Sequence, residues 1–161
     1  MNKATFTEDL AKKTITVERT LEAPIEKVWA AWTRREQLER WWAPRPWQAV
    51  TKSFDFTEGG RWHYYMAGPE GERHWCLVDF KTIEPLEGFT AVDAFCDEHA
   101  IRNDEMPGMD WRNRFEADGS QTHVTVTLTF ISADELKRIV DMGFKEGFSM
   151  GLDQLERLLA E

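Results

Sequence analysis

The chain has 161 residues, with 29 acidic against 20 lysine and arginine side chains and a formal net charge of -9. This length fits a single domain with its own core, and the negative charge argues against nucleic acid and anionic membrane surfaces as partners. The first residues contain no apolar leader, and no stretch approaches the roughly 18 apolar residues of a membrane span. A cytoplasmic location is therefore the default expectation.

The start of the chain changes character at Thr14. Residues 1–13 carry no periodic pattern and are predicted to form a flexible arm ahead of one domain over residues 14–161. Residues 14–22 alternate between polar and apolar side chains, which is the period of a half-buried strand. Arg19 falls on the apolar phase of that strand.

Two short helices are predicted next. Pro24 stands at a first helical position, and apolar side chains recur after it at offsets of three and four, up to Trp32. Good helix formers continue over residues 33–40. Pro44 restricts the residue before it and ends the second helix.

The middle of the chain predicts about six antiparallel strands, because segments of strand composition alternate with glycine and proline turns. They cover residues 49–56, 61–66, 73–84, 89–96, 110–117 and 122–130. Ser132 with Glu135 forms a capping box that opens a short helix. A longer helix with an apolar stripe then runs from Phe144 to the C-terminus.

This element order predicts an α+β fold in which a curved antiparallel sheet of six to seven strands wraps around the long C-terminal helix. A curved sheet cannot contact a straight helix along its whole length. The order therefore also predicts a space between the sheet and the helix.

Several motifs resemble the activator-of-heat-shock-protein-ATPase-like branch of the START-related SRPBCC superfamily, whose fold is the helix-grip fold. They are Arg19-x-x-x-Ala23-Pro24-x-x-x-Val28-Trp29, Trp41-Trp42-Ala43-Pro44, Gly59-Gly60-Arg61-Trp62 leading to Gly68-Pro69-Glu70-Gly71, Ile83-Glu84-Pro85, and Met142 to Phe148. The resemblance implies an interior pocket for a mostly apolar small molecule. The wider superfamily includes lipid carriers, hormone receptors, cyclases and co-chaperones, so the fold does not choose a function.

Aromatic side chains are the candidates for the wall of such a pocket. Strand alternation places Trp62 and Tyr64 on one face, and Trp75 shares that face if the register of its strand permits. Trp42 is predicted to point inward at the pocket mouth. Further candidates are Phe95, Trp111, Phe144 and Phe148. The alternative is that these rings only fill the core.

Arg19 on an apolar phase needs a carboxylate or several carbonyls to offset its desolvation. Asp79 and Asp93 share the phase of apolar neighbours in their strands and are the candidate partners. Such a pair would either bind a polar group of a ligand or form a structural bridge.

The sequence contains no catalytic, nucleotide-binding or metal-binding signature, so no metal and no cofactor are predicted. His63 and His123 lie opposite the apolar phase and are expected to face solvent. Cys76 and Cys96 lack metal-ligand spacing and are expected to be small buried side chains.

Three functions remain open. The first is a non-catalytic domain that binds a hydrophobic small molecule in its interior. The second is a cyclase or hydrolase that uses a buried carboxylate in the same cavity. The third is a co-chaperone-like interaction module with exposed aromatic residues over 41–47 as its contact patch. A homodimer is a further expectation.

Overall fold

The computed structural model describes residues 3–106 and 108–161. Within them the chain forms eight strands and four helices, in the order β1 (Thr5–Asp9), β2 (Thr14–Leu21), α1 (Ile25–Thr33), α2 (Arg35–Trp41), β3 (Gln48–Phe54), β4 (Arg61–Ala67), β5 (Arg73–Glu84), β6 (Gly88–Phe95), β7 (Met109–Asp118), β8 (Gln121–Thr129), α3 (Ala133–Asp141) and α4 (Phe144–Leu159). The strands make one antiparallel sheet ordered β1-β2-β8-β7-β6-β5-β4-β3. The predicted helix-grip fold is confirmed.

The N-terminal segment that was expected to be a flexible arm contains a strand that the sequence pattern did not predict. Thr5–Asp9 forms β1 and pairs with β2, from Thr5 opposite Glu18 to Asp9 opposite Thr14. Its Phe6 ring contacts Phe144 of α4 at 6.5 Å. The strand is five residues long and mostly polar, so the hydrogen bonds to the edge of β2, rather than a periodic pattern, define it.

Two local signals in the sequence act as expected around the last two helices. Ser132 Oγ accepts a hydrogen bond from the backbone N–H of Glu135 at 3.1 Å, which caps α3. Gly143 has a φ of 92°, a left-handed conformation that glycine adopts at low cost, and it separates α3 from α4. Among the described residues, no helix is both long enough and apolar enough to cross a membrane.

The inner face of the sheet and the helices share one hydrophobic core. Alternate residues of β2 and β8 enter it, including Ile15, Val17 and Leu128, which are almost fully buried. The terminal helix contributes Leu152 and Leu155. The remaining space between sheet and α4 is filled mainly by aromatic rings.

The loop after β6 covers part of the outer face of the sheet. Cys96 forms an isolated bridge with Arg102, and the Asp97 carbonyl lies 3.0 Å from His63 Nε2. His63 is therefore only 4% exposed. The expectation of a solvent-facing His63 is wrong because strand alternation predicts the face of a side chain but not a loop that covers it.

Candidate functional site

Five rings between the sheet and α4 form what we call the aromatic wall: Trp42, Trp62, Trp111, Phe144 and Phe148. Trp42 lies at its centre, with ring centroids 5.8 Å from Trp62, 5.6 Å from Trp111 and 6.3 Å from Phe148. Edge-to-face and tilted pairs of this kind are favourable aromatic contacts. The inward orientation predicted for Trp42 agrees with this geometry.

Trp42 and Tyr64 add a hydrogen bond to the aromatic wall. Trp42 Nε1 donates to the Tyr64 hydroxyl at 2.8 Å, and the Tyr64 ring stacks on Trp62 with centroids 3.9 Å apart. Tyr64 is buried, and this burial raises its pKa well above the ordinary value. The phenol is therefore neutral and acts as a hydrogen-bonding group.

The N-terminal part of α4 forms the outer end of the wall. Phe144 and Phe148 stack with centroids 5.5 Å apart, and both contact the Trp111 ring, at 6.4 and 5.6 Å. Both phenylalanines are only partly buried. Gly151 one turn further allows a close approach, since a Cβ there would lie 3.3 Å from the Trp41 carbonyl oxygen.

A cavity of about 30 Å³ lies at the inner end of the wall. Its lining comes from α1, α2, Trp42 and the middle strands: Trp32, Leu38, Trp42, Trp62, Val78, Phe80, Phe89, Ala91, Trp111 and Asn113. One water needs roughly 10–15 Å³ of such volume, so the space holds one or two waters. A ligand of several heavy atoms requires the rings of the wall to move.

Two polar atoms of residues that line this cavity have no hydrogen-bond partner among the described residues. They are Trp32 Nε1 and Asn113 Oδ1, and both residues are only 2% exposed. Leaving a buried donor or acceptor unpaired costs about 1–3 kcal/mol. The sequence pattern did not single out either residue as a binding residue, although Asn113 stands on the apolar phase of β7 between Trp111 and Phe115.

Asp93 is a carboxylate on the inner face of the sheet that contacts the aromatic wall at Trp111. Its carboxylate accepts hydrogen bonds from the Met109 backbone N–H at 3.0 Å and from Trp111 Nε1 at 2.8 Å. Burial raises the pKa of Asp93 from 3.8 to about 7, although these two hydrogen bonds oppose the shift. Asp93 can thus exchange a proton near neutral pH.

Cys76 lies beside this group on the inner face and is a free thiol. Burial raises its pKa to about 12, with the negative charge of Asp93 as a further cause. The thiol form therefore predominates at neutral pH, which makes Cys76 a weak nucleophile.

Trp75 and Asp79 lie on the outer face, so their prediction as pocket residues is wrong. The register pairs Tyr65 with Trp75, and the Trp75 ring contacts Tyr65 at 4.7 Å and His63 at 4.9 Å. Asp79 forms an ion pair with Arg61 at 2.6 Å. A shift of one residue in register exchanges the two faces of a strand, and the sequence did not determine that register.

Phe95 and Arg19 are not part of the aromatic wall. Phe95 is partly buried at the end of β6, opposite Cys76. Arg19 is 3% exposed and forms an ion pair with Asp153 of α4 at 2.8 Å, with Glu156 at 4.0 Å. The predicted pairing with Asp79 or Asp93 is wrong because the inward phase of β2 faces α4.

This arrangement of sheet, terminal helix and aromatic interior agrees with comparisons to known proteins. Residues 22–160 match the family described as Activator of Hsp90 ATPase homolog 1-like protein. The chain belongs to this family. A comparison with curated proteins gives no significant match.

Solved structures of bacterial proteins are similar over nearly the whole chain. One from Arthrobacter aurescens is 31% identical, with 97% of this chain and 91% of that chain covered and a TM-score of 0.91. Another from Mycobacterium smegmatis is 30% identical, with coverage of 97% and 96% and a TM-score of 0.88. The AHSA1 protein from Silicibacter pomeroyi, at 20% identity, coverage of 91% and 97% and a TM-score of 0.74, is similar in fold.

Proposed function

We propose that this chain is a binding domain that holds a mostly hydrophobic small molecule between the sheet and α4 without catalysing a reaction. The observation that carries the proposal is the aromatic wall. It is partly exposed at Phe144 and Phe148 and continues inward to the 30 Å³ cavity. Aromatic side chains with a few polar groups are typical of small-molecule sites.

Binding requires the rings of the wall to move, because the cavity measures about 30 Å³. A typical ligand pocket measures roughly 300–1,000 Å³. We expect Trp42 and Phe148 to be the rings that move, because Trp42 lines the cavity and Phe148 lies at the partly exposed end of the wall. Both are partly buried, and their rings lie 6.3 Å apart. An apolar ligand would replace the contacts that these rings lose, so its affinity comes from apolar burial minus the cost of opening the wall.

Toluene titration of the whole chain by calorimetry tests this proposal. We expect saturable binding, and Phe148→Ala should bind toluene roughly two- to tenfold more tightly, because the variant no longer has to give up an aromatic contact of about 0.5–1.5 kcal/mol. Trp75→Ala is the matched control on the outer face and should bind as the unmodified chain does. Absence of saturable binding to both the unmodified chain and Phe148→Ala would contradict the proposal.

An acid–base enzyme is the second candidate function, and the raised pKa of Asp93 favours it. In this case Asp93 transfers a proton to or from a substrate held by the aromatic wall. For any turnover found, Asp93→Asn should reduce the rate at least a hundredfold, while Asp79→Asn on the outer face should leave it unchanged. A rate that Asp93→Asn does not alter would remove this candidate.

The structure gives less support to the co-chaperone alternative. None of the three tryptophans in the predicted contact patch over residues 41–47 is fully exposed: Trp41 is 0% exposed and packs against Trp32 at 4.9 Å, and Trp42 and Trp47 are partly buried. The Trp47 ring packs on His74. Activation of a heat-shock ATPase and formation of a homodimer both stay predictions.

A further inference from the structure

A cleft of about 290 Å³ lies where α2, the loop before β3 and the C-terminal end of α4 meet. Its lining contains three arginines from three elements, namely Arg40 of α2, Arg45 of the loop and Arg157 of α4. Two carboxylates, those of Glu39 and Glu161, line it as well. Basic side chains therefore outnumber acidic ones at this cleft, although the whole chain has a net charge of -9.

A buried glutamine holds the loop that carries Arg45. Gln154 is 5% exposed, and its Nε2 donates to the Trp41 carbonyl at 3.0 Å and to the Ala43 carbonyl at 2.8 Å. Its Oε1 accepts from the backbone N–H of Arg45 at 2.9 Å. Since Gln154 and Arg157 belong to the same helix, these three hydrogen bonds fix the backbone of Arg45 relative to the helix that carries Arg157.

The guanidinium groups of Arg45 and Arg157 have no carboxylate partner in the described part of the chain. The Glu39 carboxylate instead accepts from the backbone N–H of Thr51 at 3.1 Å. Both arginines are exposed. Two guanidinium groups are thus accessible to an anion from solution, and such groups pair well with carboxylate and phosphate oxygens.

Arg40 already holds an anionic group of this chain. Its Nη2 donates to both carboxylate oxygens of Glu161, at 2.8 and 2.6 Å. Both side chains of this pair are more than half exposed. Exposed pairs contribute little to stability, so an incoming anion can replace the Glu161 carboxylate at low cost.

The number and placement of the arginines indicate the class of anion. A carboxylate presents two oxygens in one plane, whereas a phosphate monoester presents three acceptor oxygens and a charge of about -1.5 to -2 at pH 7. Three guanidinium groups from three elements therefore suit a phosphate better than a single carboxylate. Trp47 also lines the cleft and provides an apolar surface for the rest of the ligand.

We propose that Arg40, Arg45 and Arg157 form a binding site for a phosphate monoester, and that the Glu161 carboxylate competes with this ligand for Arg40. None of the five rings of the aromatic wall lines the cleft. The site is therefore separate from the one proposed for a hydrophobic molecule, and neither proposal depends on the other.

Titration with inorganic phosphate tests the site, with the backbone amide of Arg45 and the indole N–H of Trp47 as reporters in NMR spectra of the labelled full-length chain. Sodium chloride keeps the ionic strength constant, so that charge screening does not change during the titration. We expect saturable shifts of both signals. The double variant Arg45→Gln with Arg157→Gln should bind phosphate roughly tenfold more weakly, because one exposed charged contact accounts for up to about fivefold in affinity.

Glu161→Gln should act in the opposite direction. The neutral amide competes less for Arg40, so phosphate should bind roughly threefold more tightly. Arg112→Gln and Glu116→Gln are the matched controls, because both side chains are exposed on the outer face of β7 and change the net charge of the chain equally. Both controls should bind phosphate within twofold of the unmodified chain.

Weaker binding in the double arginine variant, together with tighter binding in Glu161→Gln, supports the site. Effects of the same size in the outer-face controls would attribute binding to net charge and overturn the site. The absence of saturable shifts in both the unmodified chain and Glu161→Gln would overturn it as well. Tighter binding of succinate than of phosphate at the same ionic strength would overturn the assignment of a phosphate ligand.

Discussion

At the scale of single residues, the polar side chains of the inner face distinguish this interior from a purely apolar core. Asp93 is held by two hydrogen-bond donors, whereas Asn113 Oδ1 has no partner in the described part of the chain. Alternation in the sequence predicted the inward phase of Asp93 and Arg19. It could not predict their partners, because the contact of Arg19 with Asp153 depends on how α4 lies across β2.

The raised pKa of Asp93 makes stability depend on pH. The folded protein keeps this proton up to about pH 7, whereas the unfolded chain loses it near 3.8. The folded state therefore binds more protons between these values, and this group lowers the free energy of unfolding as pH rises through that window. Above about pH 7 both states are ionised and its effect is constant.

Asp93→Asn should remove this fall in stability, because the amide does not ionise between pH 4 and pH 8. Chemical denaturation between pH 4 and pH 8 measures it. Asp79→Asn is the control, since Asp79 pairs with Arg61 on the outer face. In this variant the free energy of unfolding should still decrease as pH rises, as it does in the unmodified chain. The same fall in Asp93→Asn as in the unmodified chain would show that Asp93 is ionised throughout.

At the scale of elements, the packing of α4 positions the candidate site. The apolar stripe predicted this helix, and the alternation of β8 predicted its strand, because both patterns are long and regular. The strand β1 and the face of Trp75 were not predictable in this way. Both depend on pairing with another strand. The five mostly polar residues of β1 carry no periodic pattern, and the pattern of β5 alone does not give the register that sets the face of Trp75.

Two glycines of α4 test how closely the helix approaches α2. A Cβ at Gly147 would lie 3.8 Å from Pro44, an ordinary contact, whereas one at Gly151 would lie 3.3 Å from the Trp41 carbonyl oxygen. Gly147→Ala should raise the free energy of unfolding by about 0.5–1 kcal/mol through helix propensity. Gly151→Ala should raise the free energy of unfolding by clearly less, or lower it, because the Trp41 carbonyl oxygen must move to accommodate the new Cβ. Equal gains in thermal unfolding would contradict this close packing.

At the scale of the whole molecule, the sequence predicted the fold better than the interior. Element order and the family motifs were sufficient to predict a sheet that wraps around a terminal helix, because strands and helices show in the sequence as periodic patterns separated by turn residues. The volume of the cavity depends on how the side chains pack. The curvature of the predicted sheet indicated a space between sheet and helix, whereas the rings of Trp42, Trp111 and Phe148 fill much of that space themselves.

The most direct test of an apolar binding site between the sheet and α4 is to locate bound toluene by intermolecular nuclear Overhauser effects in the labelled full-length chain. The eight tryptophans provide indole N–H reporters on both faces of the sheet. We predict contacts from toluene to Trp42, Trp111 and Phe148, with the indole signal of Trp75 unchanged. Contacts to Trp75 on the outer face, or saturable binding without contacts to the aromatic wall, would contradict the account.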